Sequence, residues 1–207
     1  MQLQNYYYWF KDAIPHHVCD DIVRYAKSIQ DEMAVTGGLG NRKLNKKEVQ
    51  DLKKKRDSDI VWLNERWIYN AIHPFIHAAN RDAKWNFQWD FSESCQFTKY
   101  KKGQYYDWHC DSWDKPYDSP NTPSHGKTRK LSVTLSLSDD KDYSGGELEF
   151  DMRNLDPDKK ANTHVLKEIR SKGSLVVFPS DVWHRVKPVK RGVRHSLVIW
   201  NLGYPFK

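Results

Sequence analysis

The chain has 207 residues, a formal net charge of +7, an apolar share of 38% and an aromatic share of 14% that includes nine Trp. This length fits one domain, and the large aromatic side chains can fill its core, which argues against wholesale disorder. No apolar stretch approaches the roughly 20 residues of a membrane span, so a membrane partner is not expected. The aromatic start "YYYWF" lacks the basic flank and small-residue cleavage site of a signal peptide. Cys19, Cys95 and Cys110 form no C-x-x-C pair, and their odd number speaks against a disulfide framework. They read as reduced thiols of a cytoplasmic protein.

Pro15 fits the first turn of a helix, and Val18, Ile22, Tyr25, Ala26 and Ile29 then recur at helical spacing. "TGGLGN" ends that helix and opens a basic segment, "NRKLNKKEVQDLKKKRD", residues 41–57. This segment reads as a solvated, mobile loop or as a docking surface for an acidic partner or nucleic acid. It lacks the interleaved aromatics of a single-strand stacking platform. "DIVWL" reads as a short strand. Over residues 65–80, Ile68, Ile72, Phe75, Ile76 and Ala79 keep helical spacing, with Pro74 forcing a kink or a break into two helices.

After Lys84 the period changes to two. "WNFQWDF", "CQFTKY", "RKLSVTLSLS", "GELEFD", "SLVVF" and "HSLVIWNL" read as strands, separated by Gly, Pro and Asp turns. Short strands without long intervening helices imply an antiparallel sandwich or barrel. The expected fold is therefore mainly β: helical support and a basic loop over 1–84, and a jelly-roll, cupin-like double-stranded β-helix over 85–207, in one domain. The loop 113–129 is too long for a hairpin turn; loops of this length are usually lids or disordered.

"YDWHCDSW" places His109 and Asp111 two positions apart, so in an extended chain both project to one face. Asp107 shares that face and is the alternative carboxylate. Cys110 should point away as a packed thiol. A second histidine, His184, precedes Arg194 and Ser196, which share one face of the last strand. Two imidazoles and one carboxylate match the facial triad of a non-haem Fe(II) site, and an arginine nearby can grip a carboxylate through paired hydrogen bonds. In "RKLSVTLSLS", Ser132, Thr134 and Ser136 oppose an apolar face and suit either a wet cavity or solvent. His125, His164 and His195 have no spacing partner and are expected to be exposed.

The blocks "QFTKYKKGQYYDWHCD", "SGGELEF", "GSLVVFPSDVWHRVKPV" and "GVRHSLVIW" resemble the iron(II)- and 2-oxoglutarate-dependent dioxygenases, in particular the prolyl 4-hydroxylase-like branch with its bacterial and phage PKHD-type members. The resemblance covers about residues 60–204. It implies that His109, Asp111 and His184 are the iron ligands and that Arg194, partnered by Ser196, binds the far carboxylate of 2-oxoglutarate. It also places Tyr100 on a tyrosine that bonds the cosubstrate, Tyr106 on an aromatic near the site, and Trp200 on a bulky residue behind the cavity. Fe(II), 2-oxoglutarate and O2 would be required, with ascorbate as a further candidate. The implied reaction is hydroxylation of an unactivated C–H, first of all in a prolyl residue of a peptide or protein. The implied location is the cytoplasm, or a host's cytoplasm for a viral member. The competing readings are a nucleic-acid oxidative demethylase of the same superfamily and a jelly-roll metal protein that is non-catalytic or an isomerase. The demethylase arginine block typically reads R-x-N-x-T-x-R, whereas this chain has "RHSLVIW".

Overall fold

A computed structural model of the chain describes residues 5–29, 32–33, 46–152 and 163–206. Strand β1 (Tyr8–Phe10) leads into helix α1 (His16–Lys27), which buries Cys19, Ile22 and Ala26. Pro15 stands at the N-cap of α1, one position before its first turn, where its missing N–H leaves no helical bond unmade. After β2 (Glu32–Met33), most of the basic segment forms helix α2 (Lys46–Lys55) and runs directly into β3 (Arg56–Asp57); residues 41–45 lie outside the described residues. The expected basic loop is thus a helix. Its residues are good helix formers, Asp51 pairs with Lys54 at 2.8 Å, and acid in the first turn with lysines in the last complements the helix dipole.

Strand β4 (Asp59–Leu63) is the expected "DIVWL" strand. Helix α3 (Arg66–Asp82) continues through Pro74, so of the expected kink or break the break does not occur. Pro74 removes one backbone bond, but Ile68, Ile72, Ile76 and Ala79 are all buried in one stripe and hold both halves on the sheet. Residues 85–90 form no strand despite their alternation, and Asn86 has φ 52°. Their alternation buries Trp85 and Phe87, and the stretch meets a strand backbone at its end, where the Asp90 N–H donates to the Leu202 carbonyl at 2.9 Å.

The remaining strands are β5 (Phe91–Ser92), β6 (Cys95–Tyr100), β7 (Tyr105–His109), β8 (Thr128–Ser136), β9 (Tyr143–Gly145), β10 (Leu148–Asp151), β11 (Thr163–Val165), β12 (Leu175–Pro179), β13 (His184–Val186), β14 (Val189–Gly192) and β15 (Arg194–Gly203). Among the described residues they form a large sheet in the order β1-β12-β8-β15-β6-β4-β2, with β5 on β15, and a small sheet β11-β10-β13-β7-β3. Strands β14 and β9 pair as a separate two-stranded ribbon. Gly192 belongs to this ribbon and has φ 75°; a Cβ there would meet the Asp142 carbonyl oxygen at 2.1 Å. All pairs are antiparallel, and the architecture is the expected jelly roll. The first third contributes more than support, because β1, β2, β3 and β4 extend both sheets.

The large sheet has two buried faces. Leu131, Val133, Leu135, Leu197 and Ile199 pack on α1 and α3. The opposite face carries Ser132, Thr134, Ser136, Arg194 and Ser196 toward the small sheet, and each of these is buried. The small-polar face of β8 therefore lies inside the molecule and not in bulk solvent. Beside it, Tyr100, Leu148, Phe150, Phe178 and Val186 make a second apolar cluster between the sheets. Among the described residues no helix is long and apolar enough to cross a membrane.

Candidate active site

The antiparallel ladder places His109, at the end of β7, directly opposite His184, at the start of β13. Asp111 follows β7 and is fixed by its own backbone, whose N–H donates to the Ser180 carbonyl at 2.8 Å. Nε2 of His109 lies 3.8 Å from Asp111 Oδ1, and Nε2 of His184 lies 3.6 Å from Oδ2. All three donor atoms fall within 4.8 Å of one another. The sequence-predicted trio is brought together.

Each imidazole is oriented in the same way. His109 Nδ1 lies 2.8 Å from the Asp107 carbonyl, and His184 Nδ1 lies 2.9 Å from the Val182 carbonyl. Donation by Nδ1–H to these carbonyls leaves both Nε2 lone pairs facing Asp111, as a metal requires. Burial, followed by the neighbouring His184, pushes His109 down to about 3, so it is neutral at ordinary pH, the form a metal ligand needs. Burial works against the Asp111 charge, but His184, His109, Arg129 and the Ser132 hydroxyl outweigh it and hold the carboxyl below its usual range. Ser132 Oγ donates to Asp111 Oδ2 at 2.7 Å and lies 2.9 Å from Ser180 Oγ. Two imidazole nitrogens and one carboxylate oxygen, turned toward one point, fit Fe(II). Asp107 is exposed and contributes its carbonyl. Its role here is to orient His109. Cys110 is outside the cavity, with Sγ 3.3 Å from the Ser112 carbonyl.

The cavity lies between the sheets and is lined by Tyr100, Tyr106, Arg194, Ser196, Val198 and Trp200 together with the trio. Arg194 is 3% exposed, donates from Nη1 to Ser196 Oγ at 3.2 Å, and sits with its guanidinium carbon 5.5 Å from the Tyr100 ring centroid. Tyr100 faces it across the β15–β6 ladder. Tyr106 stacks on His109 with centroids 3.5 Å apart, and burial pushes its phenol up to about 12. Thus every sequence-predicted site residue lines one cavity.

Two cations, Arg56 buried and Arg129 partly buried, escaped the sequence reading. Arg56 is 5% exposed, with its guanidinium carbon 4.6 Å from the Tyr106 centroid and Nη1 donating to Gln96 Oε1 at 3.3 Å. Arg129 grips Glu93 with two bonds, at 2.9 and 2.5 Å, and lies 3.8 Å above the Trp200 ring. Tyr117 donates to the same Glu93 at 2.8 Å, which ties the 113–129 loop to the cavity wall. Of the histidines expected to be exposed, His125 is. His164 is half-buried and lies 3.0 Å from the Tyr7 hydroxyl. His195 is half-buried on Phe97, because its position in β15 faces the helix-side core.

A family model described as the 2OG-Fe(II) oxygenase superfamily matches residues 95–201, the stretch that carries the trio and Arg194. The chain belongs to this superfamily. Membership brings Fe(II), 2-oxoglutarate and O2 with it. The PKHD-type hydroxylase of Synechococcus sp. (strain CC9902) is 38% identical over 103 residues, which are 49% of this chain and 38% of that protein. The PKHD-type hydroxylase of Pseudoalteromonas atlantica (strain T6c) is 34% identical over 107 residues, 51% of this chain and 41% of that protein. The match therefore spans about two fifths of these relatives' length. Among solved structures, a Pseudomonas putida prolyl-4-hydroxylase superposes with a TM-score of 0.63 at 19% identity, covering 96% of this chain and 92% of that one. The viral collagen prolyl hydroxylase of Paramecium Bursaria Chlorella virus-1, in its 2OG complex, gives 0.63 at 18% identity and 97% coverage of both. At these identities the likeness is one of fold.

Proposed function

We propose that this oxygenase hydroxylates an unactivated C–H of a prolyl residue in a peptide or protein, at an Fe(II) site made by His109, Asp111 and His184. The carrying observation is the matched donation of both Nδ1 atoms to backbone carbonyls, which turns both Nε2 atoms to one carboxylate. Bound iron supplies the oxygen chemistry that no side chain can. Arg194 and Ser196 hold the far carboxylate of 2-oxoglutarate, with Tyr100 beside them. The Arg194 fork suits two parallel bonds to a carboxylate, and burial strengthens them. Leu148, Val186 and Val198 line the same cavity and exclude water from the reacting atoms. Tyr106 and the Asp107 carbonyl keep the His109 ring in place.

The substrate class rests on the company the chain keeps: prolyl hydroxylases among its structural neighbours, and PKHD-type hydroxylases among its relatives. Ascorbate is the proposed accessory reductant, and the cytoplasm the proposed location. Helix α2 is the proposed contact for an acidic partner, because its exposed Lys53, Lys54 and Lys55 lead straight into Arg56 beside Tyr106. We read residues 1–207 as one oxygenase domain. The test is succinate formation from 2-oxoglutarate with Fe(II), in the presence of either proline-containing peptides or alkylated single-stranded DNA. Stimulation by peptide, with a product heavier by one oxygen atom, is expected. Stimulation by DNA alone would replace this reading with oxidative demethylation.

A further inference from the structure

The ladder between β8 and β15 pairs Leu131 with Asn201 and then Arg129 with Leu202, so Lys130 is an extra residue on β8. Such a bulge re-aims side chains. Here it sends Arg129 to Trp200 at the cavity and Lys130 elsewhere. Lys130 enters a separate groove of about 1,100 Å³, lined also by Trp85, Phe87, Trp89, Asp90, Tyr204 and Phe206. None of these residues lines the iron-side cavity.

Lys130 is 3% exposed, and its Nζ lies 3.2 Å from the Phe206 ring centroid. Its neighbours on β8 and before it have acids: Arg129 has Glu93, and Lys127 has Asp90 at 2.8 Å. Among the described residues no carboxylate pairs with Lys130. A buried ammonium held only by an aromatic face is undercompensated, because a ring quadrupole attracts a cation less than a carboxylate does. The groove thus combines a mostly apolar, aromatic lining with one cation that has no acid partner among the described residues, while the Asp90 carboxylate in the same lining is neutralised by Lys127; this is the usual make-up of a small-molecule site.

We propose that this groove is a second ligand site, for a small carboxylate carried on a flat apolar body. The carboxylate would pair with Lys130, and the body would lie among the aromatic rings. One cation without an acid partner among the described residues fits one negative charge; a phosphate would call for further donors, and the nearby Lys127 is already committed to Asp90. This site is independent of the iron-site reading.

The probe is hydrocinnamate, titrated into the intact chain and followed by tryptophan fluorescence and saturation-transfer NMR. Saturable binding is expected. Hydrocinnamyl alcohol, with the same body and no charge, should bind about tenfold or more weakly, and Lys130→Met should weaken the acid to a similar degree. Because the probe's carboxylate could also reach Arg194, Arg194→Ala is included and should bind it as the wild type does. Equal binding of acid and alcohol, undiminished binding by Lys130→Met, loss of binding in Arg194→Ala, or no saturable binding would overturn the proposal. The acid-against-alcohol comparison, run in the wild type and in Arg194→Ala, does not need Lys130→Met, so the proposal stays open to refutation even if that variant fails to fold.

Discussion

The two faces of the large sheet are made by the same strands yet serve opposite ends. On β8 and β15, Leu131, Val133, Leu135, Leu197 and Ile199 pack against α1 and α3, and all are fully buried. One residue along in each strand, Ser132, Thr134, Arg194 and Ser196 are just as buried but polar, and they face the trio. Burial on the first face stabilises the fold. On the second it strips water from charges and hydroxyls that must then satisfy one another or a ligand. The difference teaches that alternation alone places residues on faces, while their chemistry decides which face folds and which one reacts.

Substitutions on the two faces should separate activity from stability. The largest effect is expected at Arg194. Arg194→Ala should weaken apparent 2-oxoglutarate affinity by roughly 30- to several-thousand-fold, from a loss of about 2–5 kcal/mol, while iron content is kept. Arg194→Lys should recover part of it, since it keeps the charge without the fork. The 2-oxoglutarate dependence of succinate formation, with iron assayed in parallel, checks this. Across the sheet, Leu135→Ala should lower unfolding free energy by about 2–5 kcal/mol in urea melts and leave the 2-oxoglutarate dependence of the folded fraction unchanged.

Ser132→Ala probes the boundary between the faces, because it removes a hydroxyl that bonds Asp111 Oδ2. Metal affinity should fall by about 10- to 100-fold with little change in melting; an unchanged ferrous titration would show that the bond is idle. The smallest effect is expected at His195, on the helix side of β15. Burial, then Lys27, Lys99 and Arg194, push its imidazole from 6.5 down to about 4. The unfolded chain therefore binds the proton more readily, so this contribution to stability is complete above about pH 6.5 and is lost as pH falls toward 4. With its partial exposure discounted, the loss should be about 1–2 kcal/mol. His195→Gln should flatten the stability profile in that window, and an unchanged slope would assign the acid sensitivity elsewhere.

Much of this was legible in the sequence, for identifiable reasons. His109, Asp111 and His184 are chemically distinctive, and strand alternation fixes which way the residues of β15 point, so Arg194 and Ser196 could be assigned together. Arg129 could not. Simple alternation groups it with Leu131, and only the extra residue at Lys130 turns it to the cavity. Arg56 was hidden in a run of lysines, where one buried guanidinium looks like any other surface charge. The alternation in "WNFQWDF" imitated a strand because extended segments share the strand's period whether or not they pair. Pro74 was read as forcing a kink or a break; the helix is not broken, because buried isoleucines on both sides outweigh one missing backbone bond.

The central claim is that Asp111, and not Asp107, completes the iron site with His109 and His184. Anaerobic ferrous titration of the wild type, Asp107→Ala and Asp111→Ala, with circular dichroism to verify folding, tests it most directly. One tightly bound iron per chain is expected in the wild type and in Asp107→Ala, whose carbonyl still orients His109, and none in a folded Asp111→Ala. Wild-type iron binding by Asp111→Ala, with loss in Asp107→Ala, would contradict it.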